Sequence, residues 1–111
     1  MRPVAMFAVA FTALTLTLSP VALAEPTPED WFSKALSGNG VNYQGRVSFD
    51  EVVAEGRMVC AALDRSPGHS SYQSAVESIV AKGVFTEKEA DGIGGSAVAA
   101  FCPKHNDSLY A

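Results

Sequence analysis

From Trp31 onward, apolar side chains return every three or four residues in four separate blocks, the spacing of amphipathic helices rather than of strands. In the first block Thr27 offers a cap, Pro28 suits the first helical position, and Glu29 and Asp30 favour the positive end of the helix dipole. Trp31, Phe32, Ala35 and Leu36 form its apolar stripe, and Gly38-Asn39-Gly40 stops it. A connection over Val41–Val47, carrying Tyr43 and Gly45, leads to Ser48-Phe49-Asp50-Glu51, the capping box of a second helix. Behind that box Phe49, Val52, Val53, Gly56, Val59, Cys60 and Leu63 fall within about 120° of a helical wheel, so Cys60 points inward.

Ser66-Pro67-Gly68 breaks the second helix, and Ser70 with Gln73 offers a cap to a third, whose face is Tyr72, Ala75, Val76, Ile79 and Val80. Gly83 ends it. Thr86-Glu87-Lys88-Glu89 is another capping box, with Phe85 as the staple before the cap and Ala90 facing it. The fourth helix runs to about Phe101, with Ala90, Ile93, Ala97 and Phe101 on its face and Gly94 and Val98 at one border. Cys102 lies off that stripe, but Pro103 pushes the residue before it out of the helical region and frees Cys102 to turn toward Cys60. The pattern predicts an all-α fold: a small four-helix domain over 31–105, after an extended leader over 25–30 and before a polar tail over 106–111.

The first 24 residues follow another pattern. Arg2, the apolar run Val4–Leu18 and the small residues Ala22-Leu23-Ala24 form a secretory signal, with cleavage expected between Ala24 and Glu25. The run is too short to span a bilayer well, and no cysteine stands beside the cleavage site to carry a lipid. The expected product is secreted or associated with the cell envelope, without stable membrane insertion. Export also places Cys60 and Cys102, the two cysteines of the chain, where thiols are oxidised, so a Cys60–Cys102 disulfide is expected. It would close a loop of about 43 residues, for which the chain-entropy model gives roughly 4 kcal/mol, a large share of what a domain this small can gather from burial.

Charge narrows the partners. The formal net charge is −4, one unit more negative once Arg2 leaves with the signal, so no basic face for nucleic acid can be assembled. The expected partner is a protein or an envelope component.

The spacing of Gly56, Cys60 and Leu63 on one helix, and the ending Ala99-Ala100-Phe101-Cys102-Pro103 on another, resembles a family of small exported proteins found mainly in mycobacteria, catalogued as domain of unknown function 732. The likeness runs from about Trp31 to His105, with Phe101 where tyrosine is more usual. It implies a secreted helical domain with a disulfide of the family's type and carries no assigned activity.

Catalytic chemistry is not legible. His69 falls in a Pro-Gly turn and His105 in the tail, away from the interval that sets two metal ligands on one helical face, so both read as solvated loop histidines. No metal and no cofactor are expected. The pairs Glu29 and Asp30, Asp50 and Glu51, and Glu87 and Glu89 each fall in a first helical turn, where capping and the dipole account for them. Ser70, Ser71 and Ser74 lack a nucleophile elbow, and Asn106-Asp107-Ser108 matches the N-glycosylation pattern without further support. These readings point away from an enzyme.

Gly92-Ile93-Gly94-Gly95-Ser96 breaks a local rule, since each glycine inside a helix costs about 1 kcal/mol relative to alanine. Two accounts stay open. Either the fourth helix is pressed against the first or second, with Gly56 opposite, or Gly92, Gly94, Gly95 and Phe101 border a pocket for an apolar ligand. The second account makes the protein a carrier of lipid or haem, with Trp31 and Phe32 nearby and Tyr43, Tyr72 or Tyr110 as conceivable haem ligands.

Overall fold

Three of the four helices start on a reciprocal cap that satisfies two orphan N–H groups each, and this fixes where the chain turns. The computed structural model describes residues 25–111; the signal expected over 1–24, including Ala24 of its cleavage site, lies outside them. Helix α1 spans Pro28–Gly38, α2 Phe49–Arg65, α3 His69–Ala81 and α4 Glu87–Phe101, and a 3-10 segment follows over Pro103–Leu109. All regular structure among the described residues is helical.

Thr27 and Asp30 exchange side-chain and backbone bonds at the start of α1, as Ser48 and Glu51 do for α2 and Thr86 and Glu89 for α4. The extended stretch expected over 25–30 therefore ends at Thr27, because Pro28 is already helical. Helix α3 departs from expectation. Its cap is Gly68 rather than Ser70, at φ +126°, a conformation that side chains rarely adopt, and no side chain caps its first turn.

The polar tail expected over 106–111 is structured instead. The chain turns over at His105 (φ −97°, ψ 16°) within Pro103–Leu109 and returns against the α2–α3 corner, where Gly68 N–H donates to Ser108 Oγ at 3.0 Å. Ser108 is buried for that reason, so the glycosylation pattern it completes is partly inside the fold.

Helix α4 packs against all three other helices and the 3-10 segment. Phe32 and Leu36 of α1, Val52, Val59 and Leu63 of α2, Ile79 of α3, and Ile93 and Val98 of α4 are closed to solvent. Burial of side chains this size stabilises the fold by about 1.5–3 kcal/mol each before entropy is charged. Gly56 brings α2 close: a Cβ there would stand 3.0 Å from Phe32 Cζ and 3.1 Å from Ala97 Cβ. An aromatic row crosses this seam, with Phe32 ring centroids 4.8 Å from Phe101 and 6.4 Å from Phe49, and Tyr43 5.9 Å beyond Phe49.

Cys102 leaves the helix at φ −148°, ψ 61°, as its position before Pro103 requires, and joins Cys60 with a Cα–Cα distance of 5.9 Å. Both cysteines are buried.

Candidate functional site

In α1, neighbouring residues part company. Phe32 is fully buried, whereas Trp31, one step earlier and about 100° around the helix, keeps 54% of its surface in solvent. The apolar stripe that joined them in sequence is therefore split. Trp31 is a ridge between two surface hollows. One, about 260 Å³, is lined by Trp31, Lys34, Ala35, Ala99 and Ala100, where α1 and α4 meet. The other, about 530 Å³, is lined by Glu25, Pro26, Asp30, Trp31, Ser33 and Lys34.

Small side chains on α4 make the first hollow, since alanines at 99 and 100 leave room that longer residues would fill. Lys34, one turn after Trp31, places its Nζ 5.7 Å from the indole centroid, near the outer range of a cation–π contact. On the side of α1 nearer α2, Glu29 pairs with Arg57, whose guanidinium lies 4.2 Å from the centroid of Phe101. The Glu29 carboxyl is held below its ordinary value by a backbone hydrogen bond first and by Arg57 second. The α1 surface thus carries an exposed aromatic beside an apolar hollow, with charges of both signs nearby.

A third hollow, about 500 Å³ and more polar, lies between α3 and α4 and is lined by His69, Tyr72, Gln73, Val76, Glu77, Glu87, Lys88, Asp91 and Leu109. Tyr72 is buried, and its hydroxyl donates to Asp91, 2.9 Å from Oδ1 and 3.1 Å from the carbonyl oxygen. Burial, then the bond to Asp91 and its negative charge, push the Tyr72 hydroxyl well above its ordinary range. A phenol held protonated in this way is a poor nucleophile and a poor metal ligand.

The residues proposed to border an interior pocket do not share one space. A Cβ on Gly92 would come within 2.8 Å of Val41 Cγ2, in the connection after α1. One on Gly94 would meet Tyr72 Oη at 2.9 Å, and Tyr72 Cε1 and Val76 Cγ2 at 3.0 Å. Phe101, half-buried and about two turns beyond Gly94, lies instead against Phe32 of α1 and under Arg57 of α2. Two of the glycines thus serve close packing, against α3 and the α1–α2 connection rather than against α1 or α2 themselves. Gly95 is different, because a Cβ there would meet only Tyr72 Oη at 4.0 Å.

The histidines are not free in loops, which corrects their solvated assignment. His69 is the first residue of α3, its Nδ1 3.0 Å from the Ser108 carbonyl oxygen, and His105 places Nε2 2.8 Å from Asp64 Oδ1. Neither contact was legible, because each depends on the fold of the last seven helical residues. Ser70, Ser71 and Ser74 line a shallow trough with Ser66, Ser78, Arg65 and Met58, a lining with neither histidine nor carboxylate. Among the described residues no group of three His, Cys, Asp or Glu is placed to hold a metal, and no helix is long and apolar enough to cross a membrane.

Trp31 had one available signal. On a 3.6-residue period Leu36 sides with Phe32, which leaves Trp31 well off the centre of the buried arc.

No curated protein and no solved structure matches the chain. A family model does, described as "protein of unknown function (DUF732)", over residues 27–104. The match opens on the cap of α1, takes in both bonded cysteines and closes just after Pro103, so across more than half its length the chain belongs to that family.

Proposed function

We propose that this is a noncatalytic interaction domain that works outside the cytoplasm, secreted or held at the cell envelope, and binds a protein or envelope component through the α1–α4 face. The observation that supports this reading is Trp31, 54% exposed beside the hollow formed with Ala35, Ala99 and Ala100. Exposed tryptophans dominate binding energy when a partner encloses them, and they add little to the stability of the free domain. The signal pattern over 1–24 supports export. The carrier reading draws less support, since Val41, Tyr72 and Val76 occupy the space beside Gly92 and Gly94 where an apolar ligand was to sit.

Crosslinking in intact source cells tests the proposal. An amine-reactive reagent reaches Lys34, next to Trp31, and should give a discrete adduct that Trp31→Ala abolishes while leaving the fold unchanged. Absence of an adduct at Lys34, or one indifferent to Trp31→Ala, overturns the assignment of this face. Retention of a lipid or haem mass in native mass spectrometry overturns the protein- or envelope-binding role in favour of a carrier.

A further inference from the structure

Around Trp31 a ridge, a hole and charges of both signs follow one another along α1 in an order that fits itself. Trp31 is the ridge, with more than half its surface in solvent. The smaller hollow opens beside it toward the later part of α1, walled by Ala35 together with Ala99 and Ala100 of α4. A cavity of about 150 Å³ takes a benzene ring, so a hollow of about 260 Å³ has room for the larger indole. The charges run the same way. Asp30 precedes Lys34 by one turn on the exposed side of α1, and Glu25 adds a second carboxylate at the acidic end, on the wall of the larger hollow.

Two copies of a chain related by a twofold axis contact each other through the same patch, so such a patch must complement itself. This one does so in one orientation. With two α1 helices antiparallel, and the axis crossing near Phe32 and Ser33, Trp31 of each copy meets the Ala35, Ala99 and Ala100 hollow of the other. The same operation sets Asp30 of each copy against Lys34 of the other. A parallel pairing would instead oppose Trp31 to Trp31 and Lys34 to Lys34, with both hollows unfilled and like charges in contact. Lys34 has its charge to offer, because among the described residues it makes no ion pair. Asp30 accepts from the Thr27 amide through Oδ2, which leaves a carboxylate with further lone pairs for an ammonium.

We infer that the α1–α4 face pairs two copies of this chain, antiparallel, each enclosing its Trp31 in the hollow of the other. The inference rests on the reading of this face as a recognition surface and gives that surface its partner. Helix α1, at 11 residues, is only about 16 Å long, so the contact falls at the small end of specific interfaces, below about 1,200 Å² in total. The net charge of −4 also repels two copies at a distance, a force screened beyond about 8 Å at physiological salt. The pair is therefore weak and exchanging, and it fills as local concentration rises.

Sedimentation equilibrium of the purified protein with its disulfide formed, over about 10 µM to 1 mM at 0.15 M salt, tests it. The average mass should climb from one chain toward two. Trp31→Ala removes the ridge, and Ala99→Gln fills the hollow from an exposed position. Each should weaken pairing by about tenfold or more, as loss of a central anchor does, with the thermal melt unchanged. Orientation is read by zero-length carbodiimide coupling of an equal mixture of ¹⁴N and ¹⁵N protein: Lys34 should join Asp30 or Glu25 in peptide pairs that carry one label of each kind. A single chain throughout the range overturns the inference, and so does pairing that persists undiminished in either folded variant or that gives no mixed-label Lys34 product. A single chain up to 1 mM together with a Trp31-dependent adduct in source cells leaves the recognition reading standing without this partner, whereas neither pairing nor adduct removes both.

Discussion

Phe32 and Trp31 are adjacent on α1, yet one closes the core and the other stands in solvent, and the regions around them are built to different tolerances. Around Phe32 the helices meet at contact distance, with Gly56 and Ala97 kept small so that the ring fits. Around Trp31 the small residues Ala99 and Ala100 face outward, and the space they leave is open. Small side chains therefore mean two different things in this fold. Inside they permit helix approach, and outside they shape a hollow.

Paired substitutions break or sharpen this contrast. Phe32→Ala should lower stability by about 3–5 kcal/mol in equilibrium urea denaturation, the cost of a cavity that the tight seam cannot close. Trp31→Ala should change it by no more than about 0.5 kcal/mol, as at an ordinary surface position. A similar loss from both would mean that Trp31 belongs to the core after all.

Replacing Cys60 and Cys102 together with alanine should cost about 2–4 kcal/mol, read from the shift in denaturation midpoint.

The two neighbouring glycines of α4 should answer with opposite signs. Gly94→Ala pushes a methyl to about 3.0 Å from Tyr72 and Val76 and should destabilise by about 1–2 kcal/mol. Gly95→Ala meets nothing closer than 4.0 Å and should stabilise by about 0.5–1 kcal/mol through helix propensity alone. Thermal melts of the two variants decide the matter, and destabilisation by Gly95→Ala would show that the outer face is also sterically committed.

The smallest effect is electrostatic. Arg46, hydrogen-bonded to Glu89, followed by the backbone of Thr86, draws the Glu89 carboxyl from the usual 4.5 down to about 2. A lowered carboxylate stabilises the fold above about pH 4.5, and that contribution is lost as pH falls through about 2. The urea midpoint should accordingly decline over this interval, and less so in Glu89→Gln.

Local chemistry made much of the fold legible. Thr27, Ser48 and Thr86 mark three helix starts because caps are written in a few consecutive residues, and Cys102 leaves its helix because the next residue is proline. The fourth start was misplaced for the complementary reason: Gly68 is bonded by Ser108, forty positions away along the chain, and no local pattern encodes that. The same non-local docking hid the roles of His69 and His105. Trp31 was readable in principle from the wheel, but counting it into one stripe with Phe32 treated apolar character as burial, and an exposed aromatic violates that equation.

The placement of the disulfide gives the chain an unequal response to cutting. Residues 60–102 form a covalent ring that contains all of α3 and α4, whereas α1 lies wholly outside it. A protease that nicks the corner at 66–68 leaves two fragments still tethered through sulfur. A nick in the connection at 41–47 leaves α1, and the indole it displays, attached by packing alone. The proposed recognition face thus draws its exposed indole from the one helix that the covalent ring does not retain.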